Sequence, residues 1–173
     1  KEAIEQIAKE SLGIVTIIGY PEKDLNEGEL YNSAAVISDG KIVDIYRKKL
    51  LPNYGVFDER RYFSTGSPTA TYSLGEIGIA VNICEDIWFD NGPTQMQSIN
   101  GADVIININA SPYHRGKRET RLAMLQQRAK ENDVVVCYVN LNGGQDELVF
   151  DGNSMVLDRE GNLTHEAQQF QDQ

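Results

Sequence analysis

A cysteine at the end of an apolar run is the residue of this sequence best suited to chemistry. Residues 80–88 read AVNICEDIW, so Cys84 follows a strand-like stretch and precedes two acids. Enzymes built on parallel strands often display reactive groups where a strand ends and the chain turns. A buried structural cysteine is the commoner state of a free thiol, and this segment alone leaves both interpretations open. Cys137, inside the apolar stretch VVVCYV, is interpreted as an inert core residue.

Lys48 is a second candidate, because it begins an irregular segment, 48–66, after a predicted strand. Long ordered loops in compact domains are often functional. A lysine held among apolar and aromatic residues can stabilise an oxyanion and a neighbouring thiolate. An exposed lysine at a strand end is the simpler interpretation of this segment taken by itself.

The third candidate segment, 107–117, joins a predicted buried strand to a long helix and reads NINASPYHRGK. Arg115, Lys117 and Arg118 crowd the start of that helix, where positive charge opposes the helix dipole. A bound anion would resolve the conflict, and solvated cations are the alternative. His114 and His165 lack the spacing of metal ligands, so we predict no metal site.

Apolar periodicity and turn residues predict the elements that position these candidates. The predicted helices are 2–11, 92–100 and 116–132, and the predicted strands are 14–19, 34–38, 41–47, 69–74, 78–83, 104–108, 134–139, 154–157 and 162–166. Asp39-Gly40 and residues 158–161 predict hairpin turns. Ile4, Ile7 and Ala8 share one face of the first predicted helix, and Leu122, Leu125 and Ala129 are predicted to face inward on the last. Strands that alternate with helices between flanking hairpins predict a mixed α/β domain with helices on one sheet face.

Length and charge limit the function classes. A chain of 173 residues suits one domain. The net charge of -10 argues against a nucleic-acid partner. No apolar run approaches the roughly 20 residues of a membrane helix, and no basic-then-apolar leader opens the chain. We therefore expect a protein that binds no membrane. Two cysteines make no disulfide framework, so we expect a cytoplasmic location.

Taken together, the three segments resemble the nitrilase, or carbon–nitrogen hydrolase, superfamily. The pattern Lys-x-x-Leu-Pro matches residues 48–52, which makes Lys48 the family lysine, and the nucleophile pattern matches at Cys84. The resemblance is closest to the glutaminase domains of glutamine-dependent NAD synthetases, because of LPNYGVFDE at 51–59, ICEDIW at 83–88 and NGGQDELVFDG at 142–152. It extends from about residue 14 to residue 170.

The resemblance implies a four-layer α-β-β-α sandwich and a Glu-Lys-Cys triad that hydrolyses an amide. By matching position, it implies catalytic roles for Cys84, Lys48 and Glu59, and contacts to a glutamine substrate from Tyr54, Ser111, Lys117 and Glu85. In that mechanism the lysine and the thiol serve one reacting carbonyl. We therefore expect Lys48 and Cys84 to lie within about 3–4 Å of the same reacting atom.

One part of the family pattern has no match. The triad glutamate of the family lies on a loop after its first strands, whereas Glu2, Glu5 and Glu10 fall in or beside a predicted helix. We therefore expect 1–173 to be an N-terminally truncated glutaminase domain with little or no glutaminase activity by itself. The resemblance implies no cofactor for this domain, and ATP and Mg for the absent synthetase domain. The partners that it implies are L-glutamine, the synthetase domain and further copies of the protein in a homo-oligomer.

Two alternatives stay open. Another nitrilase-type amidase acting on a small amide is one, although residues 143–152 argue against it. A non-catalytic module that keeps the fold for assembly is the other, and the unmatched glutamate favours it. An iodoacetamide-type probe separates these alternatives, because a non-catalytic module has no need of a Cys84 thiol with a low pKa.

Overall fold

Short apolar runs separated by turn residues divide the first part of the chain into a helix and three strands. These are α1 (Glu2–Glu10), β1 (Val15–Lys23), β2 (Leu30–Ser38) and β3 (Lys41–Arg47), and the strands form an antiparallel sheet in the order β1-β2-β3. They belong to one compact unit, Lys1–Pro68, and the rest of the chain forms another, Thr69–Gln173. The structure, a computed structural model, describes residues 2–26, 28–67 and 70–172.

The predicted β2–β3 hairpin is confirmed, since Asp39 and Gly40 have φ angles of 47° and 78°. Strand β1 continues past the predicted end at Gly19, with Pro21 paired to Asn32. Proline in a sequence usually indicates the end of a strand. An outer strand tolerates it, because the backbone groups on one of its edges form no hydrogen bonds to another strand.

Helix α1 packs on the sheet of the first unit through a narrow stripe. Ile4 and Ala8 are buried against Ala35 and Ile37 of β2. Ile7, which shares their predicted face, lies outside this stripe, because 36% of that residue is exposed. Residues four positions apart lie one above the other on a helix, so the side chains of Ile4 and Ala8 point in nearly the same direction. The side chain of Ile7 points away from that direction, towards the margin of the stripe.

The second unit contains a six-stranded sheet, a two-stranded hairpin and two helices. Its elements are β4 (Thr71–Leu74), β5 (Ile77–Ile83), α2 (Pro93–Ile99), β6 (Val104–Asn109), α3 (Lys117–Asn132), β7 (Val135–Asn140), β8 (Asn142–Gln145), β9 (Leu148–Asp151), β10 (Met155–Leu157) and β11 (Leu163–Glu166). The large sheet has the order β11-β10-β7-β6-β5-β4, with β5, β6 and β7 parallel. The mixed α/β prediction is confirmed; of the predicted strand 69–74, Thr69 lies outside the described residues.

Helix α3 closes the core of the second unit over the central strands. Its Leu125 and Ala129 are fully buried with Ile105 of β6 and Val136 of β7, while Leu122 packs at the margin of this cluster. Parallel strands place their carboxyl ends at one sheet edge, where α/β proteins usually bind ligands. The ends of β5, β6 and β7 therefore bring the loops that follow them to one place.

Among the described residues, no helix is long and apolar enough to cross a membrane.

Candidate active site

The chain turns sharply at Cys84, directly after β5. Cys84 has a φ of 47° and opens a short 3-10 helix, Cys84–Ile87. Such a left-handed conformation costs a non-glycine residue about 1–2 kcal/mol, and strained residues of this kind cluster at functional sites. The backbone N–H of Ile83 donates to the Asp86 carboxylate at 3.1 Å, which fixes the turn from inside the protein.

A buried amide network underlies this turn. Asn107 Nδ2 donates to the carbonyl oxygen of Cys84 at 3.4 Å and to Asn82 Oδ1 at 2.7 Å. Asn82 Nδ2 in turn donates to Thr94 Oγ1 at 3.0 Å and Gln97 Oε1 at 2.9 Å. Because all four of these side chains are fully buried, the network fixes the end of β5 relative to β6 and α2. This network was not predicted from the sequence, although asparagine near the end of an apolar strand was an available signal.

The segment after the 3-10 helix is held by Arg128 of α3. This guanidinium donates to the carbonyl oxygens of Ile87 at 3.1 Å and Trp88 at 3.4 Å. It also forms ion pairs with Asp90 and Glu131. The long helix therefore fixes the backbone path of the segment that carries Trp88.

Lys117, the first residue of α3, lies over that ring, with Nζ 4.4 Å from the Trp88 centroid. Burial lowers the pKa of Lys117, and the charge of Arg121 lowers it further. Cys84 and the buried Glu85 act in the opposite direction and raise this pKa, since negative charge near a lysine favours its cationic form. The nucleophile candidate, a carboxylate and a cation thus influence one another within this unit.

Ser111 lies in the loop after β6 and is buried. Its backbone N–H donates to Asn140 Oδ1 at 2.9 Å, which ties the β6 loop to the end of β7. The loops that follow β5 and β6 therefore carry Cys84 and Ser111, as parallel strands with a shared edge require.

A fully buried ion pair lies behind these loops and was missed by the sequence analysis. Arg121 of α3 contacts Asp151, at the end of β9, through two hydrogen bonds of 3.0 and 3.2 Å, and both side chains are fully buried. The β8–β9 hairpin was not predicted either. Its sequence, NGGQDELVFD, has two glycines and no regular alternation of apolar residues.

In the first unit Lys48 is buried, with 1% of its side chain exposed, and its Nζ donates to Glu59 Oε1 at 2.6 Å. Asn32 Nδ2 approaches the other carboxylate oxygen at 3.4 Å, and its backbone oxygen accepts from the Lys48 N–H at 2.8 Å. Lys48 is therefore not an exposed strand-end lysine. The loop 48–66 is confirmed as largely irregular, with one short 3-10 helix at Glu59–Arg61.

Tyr54 lies on the same loop and is 58% exposed. Its ring meets that of Phe57 edge to face, with centroids 5.9 Å apart. The backbone N–H of Glu59 donates to the carbonyl oxygen of Pro52 at 3.1 Å, which closes the loop on itself. The exposed Tyr54 side chain thus lies on the ordered loop that also carries the buried Lys48–Glu59 pair.

The model of the family described as carbon-nitrogen hydrolase matches residues 2–173. This chain belongs to the carbon–nitrogen hydrolase family. The glutamine-dependent NAD(+) synthetase of Thermotoga maritima is 44% identical over 164 residues, a match that covers 94% of this hydrolase chain and 28% of the synthetase. The chain therefore spans less than a third of that relative's length.

Solved structures confirm the nitrilase-type fold. The glutamine-dependent NAD+ synthetase of Acinetobacter baumannii superposes with a TM-score of 0.94 at 38% identity, over 99% of this chain and 32% of that one. An amidase variant from Nesterenkonia sp. AN1 superposes with a TM-score of 0.83 at 25% identity, over 96% and 62% of the two chains. That structure shows covalent addition of the acetamide moiety of fluoroacetamide at the active site cysteine.

The predicted site residues of this carbon–nitrogen hydrolase fall into two groups. Lys48, Tyr54 and Glu59 lie in the first unit, and Cys84, Glu85, Ser111 and Lys117 lie in the second. The proximity of Lys48 to Cys84 stays a prediction. Within the described residues, no group of three or more His, Cys, Asp or Glu side chains could hold a metal ion.

Replacing Glu59 by Gln should destabilise the hydrolase, because Lys48 would keep a buried charge without its carboxylate. Loss of one partner from a buried pair typically lowers the free energy of unfolding by about 3 kcal/mol. The matched control is Asp58→Asn, which removes an exposed pair with Arg61 at 3.7 Å and should change stability by less than about 0.5 kcal/mol. Urea unfolding of the variants measures both, and equal effects would contradict the structural role of the Lys48–Glu59 pair.

Brief treatment with iodoacetamide near neutral pH should modify Cys84 and leave Cys137 intact. Both thiols are partly exposed, so access alone does not separate them. Burial raises the pKa of Cys137, which reduces its reactive thiolate, whereas Cys84 lies near the Lys117 cation. Peptide mapping by mass spectrometry gives the result, with the urea-unfolded chain as the control in which both react. Preferential labelling of Cys137 would show that the nucleophile is misassigned.

Proposed function

We propose that this chain is the part of a longer glutamine-dependent NAD synthetase that binds L-glutamine and carries the Cys84 nucleophile for hydrolysis of its side-chain amide, the reaction that supplies ammonia. The observation that carries the proposal is Cys84, held at positive φ after β5 with Lys117 and Glu85 in electrostatic contact. The similarity to two NAD synthetases supports the same substrate.

The proposed reaction begins when the Cys84 thiolate attacks the amide carbon of glutamine. A C–S bond forms, and the carbonyl oxygen becomes an oxyanion that accepts hydrogen bonds from Lys48 Nζ and a backbone N–H after Cys84. Protonation of the leaving nitrogen releases ammonia and leaves a thioester, which water hydrolyses to glutamate. Such donors stabilise the transition state most when they are fixed in advance, as the buried Lys48 is.

Glu59 already binds Lys48 at 2.6 Å, so we assign it to orienting that lysine as a donor. The proton-transfer role belongs, by resemblance, to the triad glutamate of the family. No residue of this chain was matched to that position.

Lys117 and Glu85 are the proposed basis of selectivity for an amino-acid amide. Glutamine carries an α-carboxylate and an α-ammonium group, which a lysine and a glutamate complement by charge-assisted hydrogen bonds. Ser111 and Tyr54 supply further polar contacts in this proposal. A simple aliphatic amide carries neither charge and would form neither of these charge-assisted hydrogen bonds.

In the longer protein, ammonia would pass to a synthetase domain that converts deamido-NAD to NAD with ATP and Mg. The length of the curated relatives supports this, because the chain covers only 28% of the Thermotoga maritima synthetase. No cofactor is proposed for the hydrolase part, since the thiol and lysine chemistry requires none. Cytoplasmic location and a homo-oligomer complete the proposal, and the presence of cysteine thiols at positions 84 and 137 agrees with a reducing compartment.

L-Glutamine should protect Cys84 from iodoacetamide, because the substrate would cover the thiol it reacts with. At saturation we expect the labelling rate to fall about tenfold or more, which corresponds to occupancy of at least about 90% of the sites. Acetamide at the same concentration should protect much less, and Lys117→Met should lose the protection by glutamine while still folding. Cys84→Ala is the blank for the labelling assay.

The other outcomes identify the alternatives. Equal protection by acetamide and glutamine would indicate a small-amide hydrolase. A Cys84 thiol that reacts no faster than a free peptide cysteine, and that glutamine does not protect, would indicate a non-catalytic module. Either result would contradict the proposed function.

A further inference from the structure

The buried Arg121–Asp151 pair lies directly beneath the start of α3. Arg121 follows Lys117 by four residues, so the two side chains share one face of the helix, one turn apart. The pair joins α3 to the end of β9, and both of its side chains are fully buried. The Arg121 guanidinium also lies 5.3 Å from the ring centroid of Tyr138 on β7.

Stability gives little reason for such a pair. Burying two charges offsets most of their attraction, and apolar residues of similar volume often stabilise a core as well or better. Asp151 is nevertheless held by further donors, Gln169 Nε2 at 2.8 Å and Asn140 Nδ2 at 3.4 Å. Burial by itself raises the pKa of Asp151, but hydrogen bonds from Arg121 and Gln169 outweigh it, and the net pKa is lowered. The carboxylate is therefore maintained as an anion.

We propose that Asp151 is a positioning residue for the site: by pairing with Arg121 one turn below Lys117, it keeps Lys117 a cation beside Cys84, and so preserves selectivity for amides that carry a carboxylate. The inference rests on the proposed role of Lys117 in binding glutamine. It assigns to Asp151 a function in charge control, that of offsetting the charge of Arg121 next to Lys117, which burial of the pair alone does not require.

The charges that face Lys117 come from three elements. Burial is the largest influence and lowers its pKa, and Arg121 on the same helix lowers it next. Cys84 and Glu85, on the turn after β5, raise it, and Asp151 on β9 raises it as well. Asp151 therefore offsets part of the effect of Arg121 on Lys117.

Tyr138 also faces the Arg121–Asp151 pair. Burial raises the pKa of its phenol, so it is neutral over the pH range in which lysine titrates and adds no charge. The charges that affect the pKa of Lys117 thus lie on α3, on the turn after β5 and on β9.

The sign of each substitution follows from this balance. A lysine binds a carboxylate below its pKa and loses that ability as the pH rises through it. Asp151→Asn removes a charge that raises the pKa of Lys117, so the loss should move to lower pH. Removing both charges with Arg121→Met and Asp151→Asn should move it to higher pH, because Arg121 lowers this pKa more than Asp151 raises it.

Paired alkylation of Cys84 measures this charge without enzyme turnover. Iodoacetate is an anion and iodoacetamide is neutral, but both react with the thiolate, so the ratio of their rates cancels the ionisation of Cys84 itself. A neighbouring cation favours the anionic reagent. The ratio of the iodoacetate rate to the iodoacetamide rate should therefore fall as Lys117 loses its proton. The part of this fall that disappears in Lys117→Met is the part caused by Lys117.

In Asp151→Asn, the midpoint of this fall should move to lower pH, and the ratio at the wild-type midpoint should drop about twofold or more. The double variant should shift the midpoint to higher pH. It also decides the matter if the single variant does not fold, because it leaves no unpaired buried charge. Glu166→Gln is the matched control, since Glu166 pairs with Arg118 at the next position of α3 and is partly exposed.

Opposite shifts in the single and double variants, with none in Glu166→Gln, support the proposal, since a purely structural role would not reverse sign. An unchanged midpoint in the folded double variant overturns it. A Cys84 thiol that iodoacetamide does not modify preferentially would instead defeat the proposed function, so the two failures are distinguishable.

Discussion

The left-handed turn at Cys84 is the constraint on which the rest of the site depends. A φ of 47° is unfavourable for a cysteine by itself, and hydrogen bonds with buried groups on either side hold the chain in this conformation. Asp86 binds the backbone before the turn, and Asn107 binds the carbonyl oxygen of the cysteine. The thiol is thus oriented by the folded core, at the carboxyl edge where neighbouring loops can reach it.

The two lysines of the proposed site differ in their burial and in their partners. Lys48 is almost completely buried and is bound to Glu59, a setting that fixes it as a hydrogen-bond donor. Lys117 lies over the Trp88 ring, and its pKa reflects opposing charges from several elements. A hydrogen-bond donor held in one position, such as Lys48, suits a developing oxyanion. A cation whose pKa is set by opposing charges, such as Lys117, suits a substrate carboxylate that must bind and leave.

Local signals predicted much of this fold. The Asp39-Gly40 turn was predicted because only residues that tolerate positive φ fit such a hairpin, and the helices and central strands followed from periodicity. The β8–β9 hairpin was missed, because a glycine-rich strand has no alternation to detect. Ile7 shows the limit of helical patterns, since the width of a buried stripe depends on what packs against it.

The candidate residues were predicted by motif, whereas the groups that hold them were not. Asn82 and Asp151 act through long-range contacts that no spacing in the sequence encodes. Arg128 was placed on a helix by pattern, but its bonds to the turn after β5 depend on how α3 crosses the sheet. Tertiary packing, which a single sequence does not display, decides which polar residues become buried supports.

The most direct test of the central claim is a crystal structure of Cys84→Ala with L-glutamine bound. The account predicts the amide carbon within about 3.5 Å of the site vacated by the thiol sulfur. It also predicts the amide oxygen within hydrogen-bond reach of Lys48, at about 3 Å, and the α-carboxylate at a similar distance from Lys117. Ordered glutamine bound away from residue 84, or a Lys48 amine more than about 8 Å from that residue in an ordered site, would contradict it.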